Sequence, residues 1–171
     1  MGKTVEEVRS EIPFLDTDVI YLDNAATTPT PEPVLEKMLE YFHEYSANIG
    51  RGLHRPSRRA TEHYEGTREK VASTIGASGE EIAFTKNTTE ALNLVARGLD
   101  LEKGDKVVTT VFEHHSNLVP WQILEQEKGI DLEVVEEKNS DFSVDVSDIE
   151  DAVDERTKIV TMPHISNAVG S

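Results

Sequence analysis

From residue 81 onward, short apolar runs alternate with helix-like stretches. EIAFT is followed by KNTTEALNLVARGL, KVVTTV by WQILEQEKG, and LEVVE by VSDIEDAVD, before a last run, KIVTMP. Strand–helix alternation of this kind predicts βαβ units and a mainly parallel sheet, which makes the chain an α/β protein. Upstream, residues 3–11 predict a short helix and VIYLD a brief strand, followed by the small polar run NAATTPTP. Pro31 opens a helix to about Tyr45, with Val34, Met38 and Phe42 on one face. After the glycine-rich, basic loop SANIGRGLHRPS, Pro56 opens a longer helix. Its predicted stripe is Ala60, Tyr64, Thr67, Val71 and Ile75, and Gly76 supplies the stop. A polar turn, KNSDFS, separates LEVVE from VSDIEDAVD. The sequence shows no internal repeat, and composition marks no domain boundary.

The 171 residues are enough for a domain with a real core. Acidic residues outnumber basic ones 33 to 17, for a net charge of -16. That balance argues against nucleic acid as the main partner, because phosphate backbones are bound by Lys and Arg. Cysteine is absent, so these residues hold no disulfide, thiolate metal site or cysteine nucleophile. MGKTVEEVRSEIPFL lacks the apolar stretch of a signal peptide or membrane helix, and the expectation is a cytoplasmic protein without a membrane partner.

Open parallel sheets bind ligands beyond the carboxyl ends of their strands. Three polar stretches fall at such ends: KNTTE, EHHSN and HISN. In KNTTE, Asn87 can cap the helix while Glu90 reaches back. The N–H groups of Thr88 and Thr89 then face outward at the positive end of the helix dipole and suit a phosphate. The plain alternative is a capped helix with nothing bound, and Glu90 repels a phosphate unless its carboxylate turns away. A nucleotide triphosphate is disfavoured, since neither GxxxxGKS nor GxxxxGKT occurs. His114 and His115 are either loop histidines bonded to backbone or water, or a flat imidazole stacked on a planar cofactor and able to move protons. Metal binding needs further ligands at fitting spacing, which the other His and acidic residues do not supply. Trp121, between Pro120 and Ile123, belongs to the core. Asn167 is a strand-closing turn residue or a neutral amide donor to an anionic oxygen. His164 is more simply a packed residue at the strand end. Arg51 and His54 form a solvated basic patch or a carboxylate clamp.

YLDNAATTP, RGLHRPS, TKNTTEALNLVA, GDKVV, EHHSNLVPWQ and ERTKIVTMPHISNAVGS, in this order, resemble the N-terminal part of a SufS-type cysteine desulfurase. That is a class V, fold-type I enzyme using pyridoxal 5'-phosphate (PLP), and selenocysteine lyases carry the same motifs. The resemblance implies a partial fold-type I large domain preceded by an N-terminal helical segment. Residues 1–55 would carry substrate-side and dimer-interface loops, and residues 56–171 the first part of the PLP-binding domain. It further implies that Thr88 and Thr89 bind the PLP phosphate. His114 would stack on the pyridine ring and assist proton transfer, and Asn167 would hydrogen-bond the ring's 3′ oxygen. Asn24, Ala25 and Ala26 would approach the substrate, L-cysteine or selenocysteine, while Arg51 and His54 would lie near a homodimer interface and bind substrate by reaching the partner's site. The implied reaction converts cysteine to alanine, passing its sulfur to an enzyme thiol and on to an acceptor protein for iron–sulfur cluster assembly. The family's Schiff-base lysine, pyridinium aspartate, acceptor cysteine and carboxylate arginine match nothing in residues 1–171. The expectation is a chain inactive by itself, and the alternatives are a non-catalytic interaction module or a phosphate-ligand binder.

Overall fold

The computed structural model describes residues 2–138 and 142–170. The chain forms two compact units, Met1–Ala83 and Phe84–Ser171. In the first lie α1 (Val5–Ser10), α2 (Glu32–Glu44) and α3 (Arg55–Ile75), with 3-10 turns at Pro13–Leu15 and Gly79–Glu81. In the second, α4 (Thr88–Gly98), β1 (Lys106–Thr110), α5 (His115–Lys128), β2 (Asp131–Val135), α6 (Val146–Ala152) and β3 (Thr157–Val160) follow in order.

The second unit is built on a three-stranded parallel sheet ordered β2-β1-β3. β1 pairs with β2 from Lys106 opposite Asp131 to Thr110 opposite Val135, and its ladder to β3 slips between Lys106 and Val107. All five β1 residues are buried, as a central strand covered on both faces requires. One face packs Val107 with Ala96, Trp121, Leu124 and Ile130, and the other packs Val108 with Val135 and Ala152. The buried Lys106 ammonium ties three elements together, donating to the Ala152 carbonyl at 2.5 Å and pairing with Glu133 and Asp154. Those bonds, the Glu133 one foremost, hold its pKa above the usual lysine value.

In the first unit, α3 starts with Pro56 in its opening turn and ends at Gly76, whose φ of 71° is the left-handed C-cap that glycine favours. Its covered face departs from the expected stripe. Ala60 is buried and Tyr64 half-buried, but Thr67, Val71 and Ile75 are exposed, and the face continues through half-buried Arg68 to buried Ala72. Arg68 explains the shift, since its guanidinium donates to the carbonyls of Gly79 (2.7 Å) and Ile82 (3.2 Å) and pulls that side against the following segment. On α2, Val34, Met38 and Phe42 share a face as expected, but that face is 46–64% exposed.

Two expected strands do not form. EIAFT is extended at Ile82 (φ -103°, ψ 126°), yet the carbonyl that a ladder would use is taken by Arg68. VIYLD leaves Ile20 and Leu22 about 85% exposed, and Tyr21 spends its hydroxyl on the carbonyls of Asp23 and Thr27. A strand exists only where a neighbour completes its backbone hydrogen bonds, and among the described residues neither segment has one. The KNSDFS turn includes residues 139–141, which lie outside the described residues. No helix among the described residues is long and apolar enough to cross a membrane.

Candidate functional site

At the start of α4, Asn87 caps the helix through its side-chain oxygen, which accepts from the Glu90 N–H at 2.9 Å. Glu90 does reach back, one residue beyond the cap, where its carboxylate accepts from the Lys86 N–H at 2.7 Å, with the Lys86 ammonium 3.8 Å away. The carboxylate is thereby turned toward Lys86. Thr88 and Thr89 occupy the first two helical positions, whose N–H groups have no partner within a helix. Asn93, one turn on, donates to the Thr89 carbonyl at 2.9 Å.

α5 packs against α4 and begins earlier than the sequence suggested. His115, Ser116 and Asn117 are helical, not loop, and Pro120 lies inside the helix. The reason is His114, which caps α5 with its ring: Nδ1 accepts from the Ser116 N–H at 3.1 Å and lies 2.8 Å from Ser116 Oγ. Helix packing brings Thr89, Asn93, His114, His115, Ser116 and Val119, with Pro120, around one open pocket of about 290 Å³. The two histidine rings are 6.4 Å apart, edge to face.

On the buried side of α5 runs a polar network that the sequence did not suggest. Asn117 is buried and donates to the Glu113 carboxylate at 2.7 Å. Its side-chain oxygen accepts from Trp121 Nε1 (3.3 Å) and from the Thr161 hydroxyl (2.9 Å), and Thr110 donates to Glu113 at 3.3 Å. Burial holds the Glu113 carboxyl above its usual range, against these hydrogen bonds, which favour the charged form. Trp121 is core, as expected, but with its indole N–H in use. The spacing 113, 117, 121 was the available signal, visible once the helix is started at residue 115.

Asn167 stands in a turn after β3, exposed and outside the lining of that pocket. The neighbouring Ser166 is buried and donates to the Phe112 carbonyl at 3.4 Å, tying this turn to the end of β1. His164 is exposed at the rim of a smaller pocket of about 190 Å³, with Thr110, Phe112 and Met162.

In the first unit, Asn24, Ala25 and Ala26 form a turn in which the Asp23 carbonyl accepts from Ala26 and Thr27 N–H at 3.3 and 3.2 Å. His54 caps α3 through Nδ1, which accepts from the Ser57 N–H at 3.3 Å. Fully buried Ser57 donates to the Asn48 carbonyl at 2.6 Å, and Gly52 rests so close that a Cβ there would lie 2.0 Å from Ser57 Oγ. The loop carrying exposed Arg51 is therefore pinned by its small residues.

A bound PLP fits this set of donors. The 11-residue helix α4 offers the N–H groups of its first turn, its acid is turned toward Lys86, and Thr89 and the flat His114 imidazole line one pocket, of which Thr88 is not a lining residue.

The aminotransferase class-V family model matches residues 20–171. A probable cysteine desulfurase of Methanothermobacter thermautotrophicus is 54% identical over 97% of this chain, and one of Pyrococcus abyssi is 52% identical over 96%. The chain spans 41% of the length of each. The solved apo structure of a cysteine desulfurase from Thermococcus onnurineus NA1 superposes with a TM-score of 0.91 at 48% identity, over 99% of this chain and 42% of that one. The matched part is the N-terminal part of the fold-type I architecture. By sequence and by fold, the chain belongs to the aminotransferase class-V family.

Proposed function

We propose that residues 1–171 are the N-terminal portion of a PLP-dependent cysteine desulfurase. The observation carrying this reading is the meeting of Thr89 and His114 in one pocket, beside a helix start whose acid is held aside. Thr88 and Thr89 hold the phosphate with backbone N–H and hydroxyl groups. His114 covers a face of the pyridine ring, and Asn167 donates to the ring's 3′ oxygen. The turn Asn24–Ala26 approaches the amino-acid substrate, and Arg51 and His54 lie near a homodimer interface. Residues 1–55 supply the substrate-side and interface loops, and residues 56–171 the first part of the cofactor domain. When bound, PLP supplies an electron sink for the substrate α-carbon. The sulfur of cysteine leaves to a thiol, and since this chain has no cysteine, that thiol comes from outside these residues; so does the lysine that anchors PLP, because none of the lysines here matches the family's motif for it. The sulfur then passes to an acceptor protein for iron–sulfur cluster assembly in the cytoplasm.

Phosphate recognition is tested by titrating the chain with PLP and with pyridoxal, following cofactor absorbance. The expected result is preference for PLP, abolished by replacing Thr88 and Thr89 together with alanine. Equal affinity for the two compounds would overturn the assignment of the α4 terminus. The chain alone, given PLP and cysteine, should form no alanine above the free-cofactor background.

A further inference from the structure

We infer that Ser116 fixes His114 in the Nε2–H form, making its ring a hydrogen-bond donor and closing it to general-base chemistry. The backbone N–H of Ser116 can only donate, and it lies 3.1 Å from His114 Nδ1. Nδ1 is therefore the unprotonated nitrogen, and the neutral ring carries its hydrogen on Nε2. The Ser116 hydroxyl, at 2.8 Å from the same nitrogen, donates as well, so two donors share the single lone pair. That lone pair is the only basic position on a neutral imidazole. Both bonds occupy it, and one of them is the cap of α5. Nε2 has no hydrogen-bond partner among the described residues, and the residue that carries it lines the pocket.

This inference rests on the stacking role proposed above and narrows it. A neutral imidazole held this way polarises an oxygen or stacks on a ring, as a donor rather than a proton acceptor. The proton transfer implied for this histidine by family resemblance then belongs to another group. Ser116 is a positioning residue, acting through the ring it holds. His115 contributes nothing to this lock, since its ring meets that of His114 only edge-on at 6.4 Å.

Imidazole nitrogen NMR of the labelled chain tests the point at about pH 8, where an ordinary histidine is neutral. His114 is assigned by the signals lost in His114→Gln. The expected pattern is Nε2–H alone, with a scalar coupling across the hydrogen bond from the Ser116 amide to His114 Nδ1. Ser116→Ala should keep that coupling while its Nδ1 signal moves downfield. Ser116→Pro removes both donors at a helical position where α2 and α3 already carry Pro33 and Pro56. It should abolish the coupling and populate the Nδ1–H form. A wild-type ring in the Nδ1–H form or a mixture, or one lacking the coupling, would overturn the inference whether or not the proline variant folds. An unchanged ring in folded Ser116→Pro would overturn it too. PLP affinity is measured separately, so a failed stacking role and a failed tautomer lock give different results.

Discussion

Replacing Asn117 by leucine, which is similar in size, isolates the polar network on the buried side of α5 from any cavity effect. The change strands the indole N–H of Trp121, a residue 1% exposed, and removes the acceptor of Thr161. It also strips a 2.7 Å donor from the half-buried Glu113 carboxylate. A buried donor left unsatisfied costs about 1–3 kcal/mol, and a lost bond to a charged group about 1.5–3 kcal/mol. The 3.3 Å indole bond is long and Glu113 is partly solvated, so these do not sum fully. The expected loss is about 2–4 kcal/mol. Trp121 is the single tryptophan of the chain, so urea unfolding followed by its fluorescence reports on the unit that contains the network. Thr161→Val should cost about 1 kcal/mol alone and couple to Asn117→Leu by more than about 0.5 kcal/mol in a double-mutant cycle. A loss below about 0.5 kcal/mol for Asn117→Leu, with no coupling, would refute the reasoning that these buried hydrogen bonds stabilise the second unit.

Three further outcomes follow from the geometry. Burial raises the Glu113 pKa, so the folded state holds that proton more tightly than the unfolded one. Its contribution is fully present below the ordinary carboxyl pKa of about 4.3 and is lost as pH rises through the higher folded value. Urea unfolding across that window should show wild type losing stability relative to Glu113→Gln as pH rises, and a constant difference would contradict the burial argument. Gly52→Ala forces a Cβ to within 2.0 Å of Ser57 Oγ and should destabilise the first unit by about 1–3 kcal/mol, read by circular dichroism on denaturation. His114→Ala should weaken PLP binding more than His115→Ala, since only His114 caps α5 with its ring and carries the proposed stacking role; equal losses by absorbance titration would count against that role.

The sheet of the second unit was legible in the sequence because β1 and its neighbours carry valine and isoleucine between helices whose caps are explicit, such as Asn87 and Gly129. The start of α5 was not. The helix was expected over WQILEQEKG, from Trp121, whereas the ring of His114 opens it five residues after β1. EIAFT and VIYLD have strand composition, but composition cannot supply a pairing partner. Arg68 and Tyr21 instead took up carbonyls on or beside those segments. At the site, the cap of α4 was legible through local rules, with Asn87 capping and Glu90 reaching back, because caps and helix starts are short-range features; the cap that His114 makes was not. Asn117 was not, because the group that gives it meaning, Thr161, lies 44 residues away in sequence.

The most direct test of the desulfurase assignment is reconstitution. Residues 1–171 would be mixed with the separately produced remainder of the Methanothermobacter thermautotrophicus relative, the part this chain does not match, together with PLP and cysteine. Alanine formation is predicted in the mixture and in neither half alone. Alanine made by residues 1–171 alone, or an associated, PLP-loaded mixture that makes none, would contradict the account.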